Sequence, residues 1–171
     1  YASRGLGDVY KRQVRDITGK DVPVVLDPTL LLERTDWAAA ARDGGAGRGY
    51  ILCYCISRPD ALAPYIRRLA EETGLPVVQL CGVRQKVHPK ARCILSAGPA
   101  EFLGLFRDAA YVCTNSFHGT VFSVQFHRPF FTTVSPAELS APERSRTVSI
   151  LSRLGLANRV IGKGDTAELL D

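Results

Sequence analysis

The segment AYVCTNSFHGTVFSVQFHRPFF, Ala110–Phe131, decides the fold of this chain. Its two ends are apolar runs, and a polar group of Thr, Asn, Ser and His lies between them. The pattern predicts a strand over Tyr111–Asn115, a helix over Gly119–Phe126 and a strand over Pro129–Val134. The connections between these elements are short, as in a compact β-α-β unit.

The same alternation of strands and helices extends on both sides of this segment. Apolar runs and helical spacing predict strands at Val22–Leu26, Tyr50–Ile56 and Leu75–Cys81, and helices at Asp36–Arg42, Pro59–Gly74, Gly98–Phe106 and Arg144–Gly155, with Asp36 as an N-cap. Nearly all-apolar strands that alternate with helices are typical of a parallel sheet covered on both faces. We therefore predict a Rossmann-like, doubly wound α/β domain over residues 22–171.

Residues 1–21 are assigned to no domain. The first part, YASRGLGDVYKRQ (residues 1–13), shows neither helical nor strand periodicity and carries three glycine or serine residues in its first seven positions. We expect this part to be a loop, or a stretch foreign to the natural protein.

Composition places the chain among soluble globular proteins of one domain. It has 171 residues, of which 46% are hydrophobic and 23% charged. No apolar run reaches the roughly 20 residues that span a bilayer, and no secretory signal pattern opens the chain, so we expect a cytoplasmic protein. The net charge of +5 comes from basic residues scattered among acids, which does not favour nucleic-acid binding and suits a small anionic substrate.

The five cysteines are expected to be buried free thiols. All lie in or beside apolar segments: Cys53, Cys55, Cys81, Cys93 and Cys113. A zinc site at Cys53 and Cys55 would need a second pair of ligands, and none has suitable spacing, so no metal is expected. Cys113 is also a poor nucleophile candidate because it lies inside an apolar strand, five residues from His118.

The polar group in the opening segment predicts an anion-binding site. In an open α/β sheet, ligands bind beyond the carboxyl ends of the strands, where loops lead into helices. Asn115 ends the strand, Ser116 can cap the helix, and Gly119 and Thr120 lie in its first turn, where free N–H groups and the helix dipole attract anions. His118 can there donate a proton or a hydrogen bond to the anion. The pattern also allows a purely structural interpretation, since Ser and Asn before a helix are commonly caps and a lone histidine is commonly structural.

Four motifs, in this order, resemble the polysaccharide pyruvyl transferase family. They are LDPTLLL (Leu26–Leu32), YILCY (Tyr50–Tyr54), the segment Gly98–Phe130, and SRTVSILSRLGLANRV (Ser145–Val160). The resemblance runs from Val22 onward and is strongest in SFHGT. It implies transfer of a pyruvyl group from phosphoenolpyruvate to sugar hydroxyls of a bacterial polysaccharide or its precursor, with no cofactor beyond this donor substrate.

The resemblance also implies an architecture and partners. Family members resemble two-domain transferases of the GT-B type, whose active cleft lies between two Rossmann-like halves, and this chain matches the C-terminal half. The implied partners are phosphoenolpyruvate, a saccharide acceptor and the missing N-terminal domain, with peripheral membrane association through a lipid-linked acceptor. The chain is expected to be inactive by itself.

Individual residues acquire roles through the same resemblance. His118 matches the active-site histidine, for general acid/base chemistry, and Arg146 matches a basic position. Together with Asn115, Ser116, Gly119 and Thr120, Arg146 forms the expected substrate-binding set. Some members have Arg-Leu-His where this chain has Ser116-Phe117-His118, so a cation is lost here.

Several other residues receive weaker assignments. Arg58, Arg84 and Lys86 follow strand ends and could face the same crevice, although loop cations are commonly solvated. Asp27 is expected to stop a strand and shape a hinge. Two alternative functions stay open: a GT-B glycosyltransferase that binds a nucleotide-sugar diphosphate at the same helix end, and a non-catalytic anion-binding module.

Overall fold

The computed structural model describes residues 7–23, 25–57, 61–81, 86–142 and 145–161. Its strands within these ranges are β1 Ile51–Cys55, β2 Val77–Cys81, β3 Arg92–Ile94, β4 Tyr111–Thr114, β5 Phe130–Thr133 and β6 Val160–Ile161. Its helices there are α1 Gly7–Thr18, α2 Arg34–Ala40, α3 Ala63–Thr73, α4 Pro99–Asp108, α5 Phe117–Gln125, α6 Pro136–Ser140 and α7 Arg146–Arg153. Short 3-10 turns cover Pro28–Leu30 and Ala157–Arg159.

The described strands form one sheet in the order β3-β2-β1-β4-β5-β6, and every neighbouring pair is parallel. This is the strand order of the Rossmann fold, and it confirms the predicted doubly wound class. The direction of the strand order reverses between β1 and β4, where Tyr54 pairs with Thr114. The ligand crevice of such a sheet lies beside the carboxyl ends of these two strands.

Each face of the sheet carries its own apolar cluster. On the first face, Leu52, Val112 and Phe130 pack with Phe106 of α4 and Phe122 of α5. On the second face, Ile51, Cys53, Cys113 and Phe131 pack with α3 through Ile66 and Leu69. Because both faces are buried, the strands read as continuous apolar runs rather than as alternating ones.

Two element predictions were wrong around residue 30. Val22–Leu26 is not a strand in its described residues, and Val25 and Leu26 are 79% and 50% exposed. A short apolar run becomes a strand only where it pairs with a sheet, and the described residues of this run lie outside the sheet. Helix α2 begins at Arg34, two residues before the predicted N-cap, and the Asp36 carboxylate accepts a hydrogen bond from the N–H of Glu33 at 3.0 Å. Asp36 thus acts from inside the first turn.

The prediction of a loop over residues 1–13 was also wrong for its described part. Helix α1 runs over Gly7–Thr18, beyond the breakers Ser3 and Gly5. Ile17 near its end is 83% exposed, so this side chain contributes little core contact. Tyr10, Val14 and Ile17 follow helical spacing, but Val14 and Ile17 lie beyond residue 13, so residues 1–13 alone do not show the pattern. Strand β3 was not predicted, because three residues are too few for a clear pattern.

Among the described helices, none has the length and apolar character that crossing a bilayer requires. Free thiols are described at Cys53, Cys55, Cys93 and Cys113. Three of these are buried and Cys93 is half-buried. Over the same regions, no group of three His, Cys, Asp or Glu side chains is arranged to hold a metal ion.

Candidate anion site at the start of α5

The predicted anion site lies where β4 passes into α5. Ser116 is the N-cap, and its hydroxyl accepts a hydrogen bond from Gly119 N at 3.3 Å. The first bond of the helix runs from Thr120 N to Ser116 O at 2.9 Å. The N–H groups of Phe117 and His118 precede that bond and therefore have no intrahelical acceptor. Two backbone donors and the positive helix end thus lie at the carboxyl edge of the sheet.

Gly119 permits the close approach of α5 to the sheet. A Cβ atom here would overlap the Thr114 hydroxyl and would lie 3.1 Å from Cδ1 of Tyr54. The Thr114 hydroxyl in turn donates to Tyr54 O at 2.6 Å and accepts from Ser116 N at 3.0 Å. The first turn of α5 is therefore held directly against the ends of β1 and β4.

Three of the predicted binding residues use their side chains inside the protein. The Thr120 hydroxyl is fully buried and forms hydrogen bonds of 3.1 Å with Ser116 O and the Thr132 hydroxyl. Asn115 accepts from Ile56 N at 2.9 Å and donates to the Ser57 hydroxyl at 2.9 Å. With Ser116 acting as the cap, these side chains shape the loop. The groups that stay available to a ligand here are mainly backbone N–H groups.

His118 and Arg146 come together through Phe117. His118 is exposed in the first turn of α5, and its ring meets the Phe117 ring edge to face at a centroid distance of 5.5 Å. The Arg146 guanidinium lies over the same Phe117 ring, 4.2 Å from its centroid. Ser145 caps α7 by accepting from Val148 N at 3.3 Å, which sets the start of that helix. Tertiary structure thus brings a cation to the helix end that carries the histidine.

Asp27 is a charged neighbour of this pair, although the sequence predicted for it only the end of a strand and a hinge. Its Oδ1 accepts from Thr29 N at 3.1 Å and from the Thr29 hydroxyl at 2.6 Å. Burial raises the pKa of Asp27, but the Thr29 hydrogen bonds and the charges of His118 and Arg146 outweigh burial, so the pKa lies below its ordinary value. Its place in the LDPTLLL motif, one of the four that carry the resemblance, was the signal that could have identified it.

The Asp27 turn is attached to α5 at the opposite end of that helix. Gln125 donates through Nε2 to Thr29 O at 2.8 Å and to Leu32 O at 2.9 Å. The indole of Trp37 donates to Thr29 O at 3.1 Å and meets Phe122 edge to face at 5.2 Å. These contacts fix the turn that presents Asp27 to the site.

Two further candidates that the structure describes, Lys86 and Cys113, lie away from this site. Arg58 and Arg84 fall outside the described residues. Lys86 is exposed in the connection between β2 and β3, and in the sheet β1 lies between these strands and β4. Cys113 is fully buried on the second face, and burial, followed by the nearby Cys55, raises the pKa of its thiol to about 12. Such a thiol is not a nucleophile at neutral pH.

A family model described as "Polysaccharide pyruvyl transferase" matches residues 8–135, most of the chain. The chain belongs to the polysaccharide pyruvyl transferase family. The matched range of this pyruvyl transferase family member includes Asp27 and the whole of α5, and it ends before Arg146. A search of curated proteins found no match.

Two solved structures are similar to this pyruvyl transferase family member at 13% sequence identity. One is a putative UDP-N-acetylglucosamine 2-epimerase from Listeria monocytogenes, with a TM-score of 0.43 over 73% of this chain and 43% of that one. The other is a Methanocaldococcus jannaschii UDP-GlcNAc 2-epimerase in complex with UDP-GlcNAc and UDP, with a TM-score of 0.41 over 86% of this chain and 45% of that one. The chain spans less than half the length of either structure.

Proposed function

We propose that this domain binds the donor in a transferase that moves a pyruvyl group from phosphoenolpyruvate to sugar hydroxyls of a bacterial polysaccharide or its precursor. Residues 22–171 then form the C-terminal, Rossmann-like half of a GT-B-type enzyme, whose N-terminal domain completes the cleft. The observation that carries the proposal is that exposed His118 and half-buried Arg146 both contact Phe117 at the start of α5.

The two anionic groups of phosphoenolpyruvate suit the two positive features of this site. The N–H groups of Phe117 and His118 and the helix dipole attract one anion, phosphate or carboxylate. The Arg146 guanidinium, a planar donor with a permanent charge, suits the other. Arg146 thereby supplies the cation that Ser116 does not, in contrast to members with Arg-Leu-His. Asn115 and Ser116 form the turn before α5, and Gly119 and Thr120 lie in its first turn.

The transfer joins two acceptor oxygens to one donor carbon. Each hydroxyl oxygen forms a bond to C2 of phosphoenolpyruvate, the bond from C2 to the phosphate oxygen breaks, and the methylene carbon becomes a methyl group. Of the two hydroxyl protons, one goes to that methylene carbon and the other leaves with phosphate. His118 can relay such a proton, as general base toward the acceptor hydroxyl or as general acid toward the departing phosphate.

Cellular setting follows from this substrate pair. We place the enzyme in the cytoplasm, where phosphoenolpyruvate is available, with peripheral membrane association through a lipid-linked acceptor. It needs no resident cofactor and no metal ion in this scheme, and nucleic acid is not a partner.

A binding experiment tests the donor. Amide shifts of the ¹⁵N-labelled chain are followed during titration with phosphoenolpyruvate and, separately, with a panel of nucleotide sugars. Phosphoenolpyruvate is expected to shift Phe117–Thr120 at the lower concentration. A tighter response to the nucleotide sugars would instead favour a GT-B glycosyltransferase.

A transfer assay in the complete two-domain enzyme tests the chemistry. His118→Ala is expected to lower ketal formation by roughly 10²–10⁴-fold, the usual contribution of a general acid/base. His127→Asn is the matched control, because His127 is exposed in a left-handed conformation that asparagine tolerates. Unchanged turnover in His118→Ala would remove this histidine from the mechanism and favour a non-catalytic anion-binding module.

A further inference from the structure

A cleft lies beside the α5 site on the first face of the sheet. We propose that this cleft binds a neutral sugar ring of the acceptor, a role that rests on the proposed pyruvyl transfer. Its walls are Tyr54, Leu80, Leu95, Phe102 and the segment Ser96–Gly98, and we call it the neutral cleft. Its volume of about 430 Å³ lies within the range of small-molecule sites.

Tyr54 joins the neutral cleft to the donor site. Its ring forms a wall of the cleft, and its Cδ1 lies 3.1 Å from the position that a Cβ of Gly119 would occupy. Its carbonyl accepts the Thr114 hydroxyl at 2.6 Å, which places it at the end of β1 level with the start of the α5 loop. A ring in the cleft would therefore lie next to the first turn of α5, as an acceptor hydroxyl must.

The lining of the cleft suits a ring that is apolar on its faces and polar at its edge. The rings of Tyr54 and Phe102 meet edge to face at 5.2 Å, and Leu80 and Leu95 add aliphatic surface. The Ser96 hydroxyl and the backbone of Ser96–Gly98 supply hydrogen-bonding groups. A pyranose has C–H faces that pack on such side chains and hydroxyls that bond at the rim.

Charge at the cleft disfavours an anionic ligand. None of its described lining residues is charged. Helix α4 begins at the cleft, but its positive end is already near a carboxylate, because Glu101 Oε2 lies 2.6 Å from the position of a Cβ on Gly98. A phosphate or carboxylate placed here would meet that charge. The anionic donor would thus bind at the start of α5, and a neutral acceptor at the start of α4.

Leu95 offers a direct test because it is exposed. It follows β3 immediately, and 81% of it is open to solvent, so its truncation leaves the fold intact. A sugar ring that covers this side chain gains apolar contact. Leu31, which is 74% exposed and does not line the cleft, is the matched control.

The experiment uses the ¹⁵N-labelled chain and a panel of methyl glycosides: those of glucose, galactose, mannose and N-acetylglucosamine. At least one is expected to give saturable amide shifts over Leu95–Phe102, with roughly fivefold weaker binding in Leu95→Ala and parental binding in Leu31→Ala. The proposal is overturned if no glycoside shifts these amides, if uridine binds the cleft more tightly, or if Leu95→Ala titrates like the parent.

Phosphoenolpyruvate is added in a parallel titration and read at Phe117–Thr120. Loss of that response would reject the donor assignment. It would leave the glycoside result at Leu95–Phe102 readable by itself, so the two failures are distinguishable.

Discussion

The guanidinium of Arg146 lies 4.2 Å from the centroid of the Phe117 ring, although 28 positions separate the two residues along the chain. Arginine above an aromatic face is held by attraction to the ring quadrupole. Because Phe117 opens α5 and Arg146 opens α7, this contact joins the starts of the two helices. The same phenylalanine ring also contacts the ring of His118, so Phe117 positions both candidate residues.

Removing the Arg146 cation should weaken donor binding. For Arg146→Met, which keeps the length of the side chain, we expect the phosphoenolpyruvate KM of the complete enzyme to rise at least about tenfold, the usual worth of a charged hydrogen bond. The KM of Arg146→Lys should lie between those of the parent and Arg146→Met, because lysine keeps the charge but lacks the planar group. The exposed Arg153 at the other end of α7 gives the control Arg153→Met. Equal KM values in all these variants would show that Arg146 does not bind the donor.

Phe117 can be tested by its effect on Arg146. Phe117→Leu removes the aromatic face, so phosphoenolpyruvate binding should weaken roughly two- to fivefold, as expected for a partly exposed contact of this kind. Phe117→Tyr keeps the face and should restore parental binding in calorimetric titration. Weak binding in both variants would point to packing at Phe117 rather than to the stacked cation.

A methyl group at Gly119 should destabilise the domain. In Gly119→Ala the new Cβ overlaps the Thr114 hydroxyl, and backbone at the start of α5 must move away from β4. We expect the free energy of unfolding in urea to fall by about 1–3 kcal/mol, the usual cost of overpacking. Ser152→Ala, at an exposed position of α7, is the control and should change little. A stable Gly119→Ala variant would show that this contact is easily relaxed.

Asp27 should contribute to the acid sensitivity of the fold. Its pKa in the folded protein lies below the ordinary value of 3.8, so it binds fewer protons when folded than when unfolded. Its stabilising contribution is therefore present above that ordinary value and is lost as the pH falls through the lowered folded pKa. Asp27→Asn should flatten the dependence of the unfolding free energy on pH below about 4. Asp16→Asn, on exposed surface, serves as control, and an unaltered pH profile in Asp27→Asn would contradict the assignment.

Cys113 should be chemically silent. With its pKa raised to about 12 by burial, iodoacetamide at pH 8 should label half-buried Cys93 well before Cys113, as measured by peptide mass spectrometry. Cys113→Ala should keep turnover within about twofold in the complete enzyme while lowering stability by about 1–2 kcal/mol through the cavity. Loss of turnover with an intact fold would instead support Cys113 as a nucleophile.

Much of the fold was predictable because burial on both faces leaves a direct trace in sequence. Strands β1, β2, β4 and β5 are apolar runs, and each was predicted near its observed bounds. Val22–Leu26 is a similar apolar run, but its described residues lie outside the sheet. Composition does not say whether a run has a strand to pair with. Helix α1 was missed because its apolar residues Tyr10, Val14 and Ile17 extend past residue 13, and strand β3 because three residues are too few for a clear pattern.

Sequence by itself determined the doubly wound class and the position of Ser116 as a cap before His118, because both depend on local order: apolar runs in alternation, and a hydroxyl one residue before a helix. Only tertiary structure decided which charges surround that histidine. Asp27 and Arg146 reach it from distant parts of the chain, through a turn bonded to Gln125 and a guanidinium stacked on Phe117. Such contacts depend on how helices pack over the sheet, and no spacing of residues along the chain records that packing.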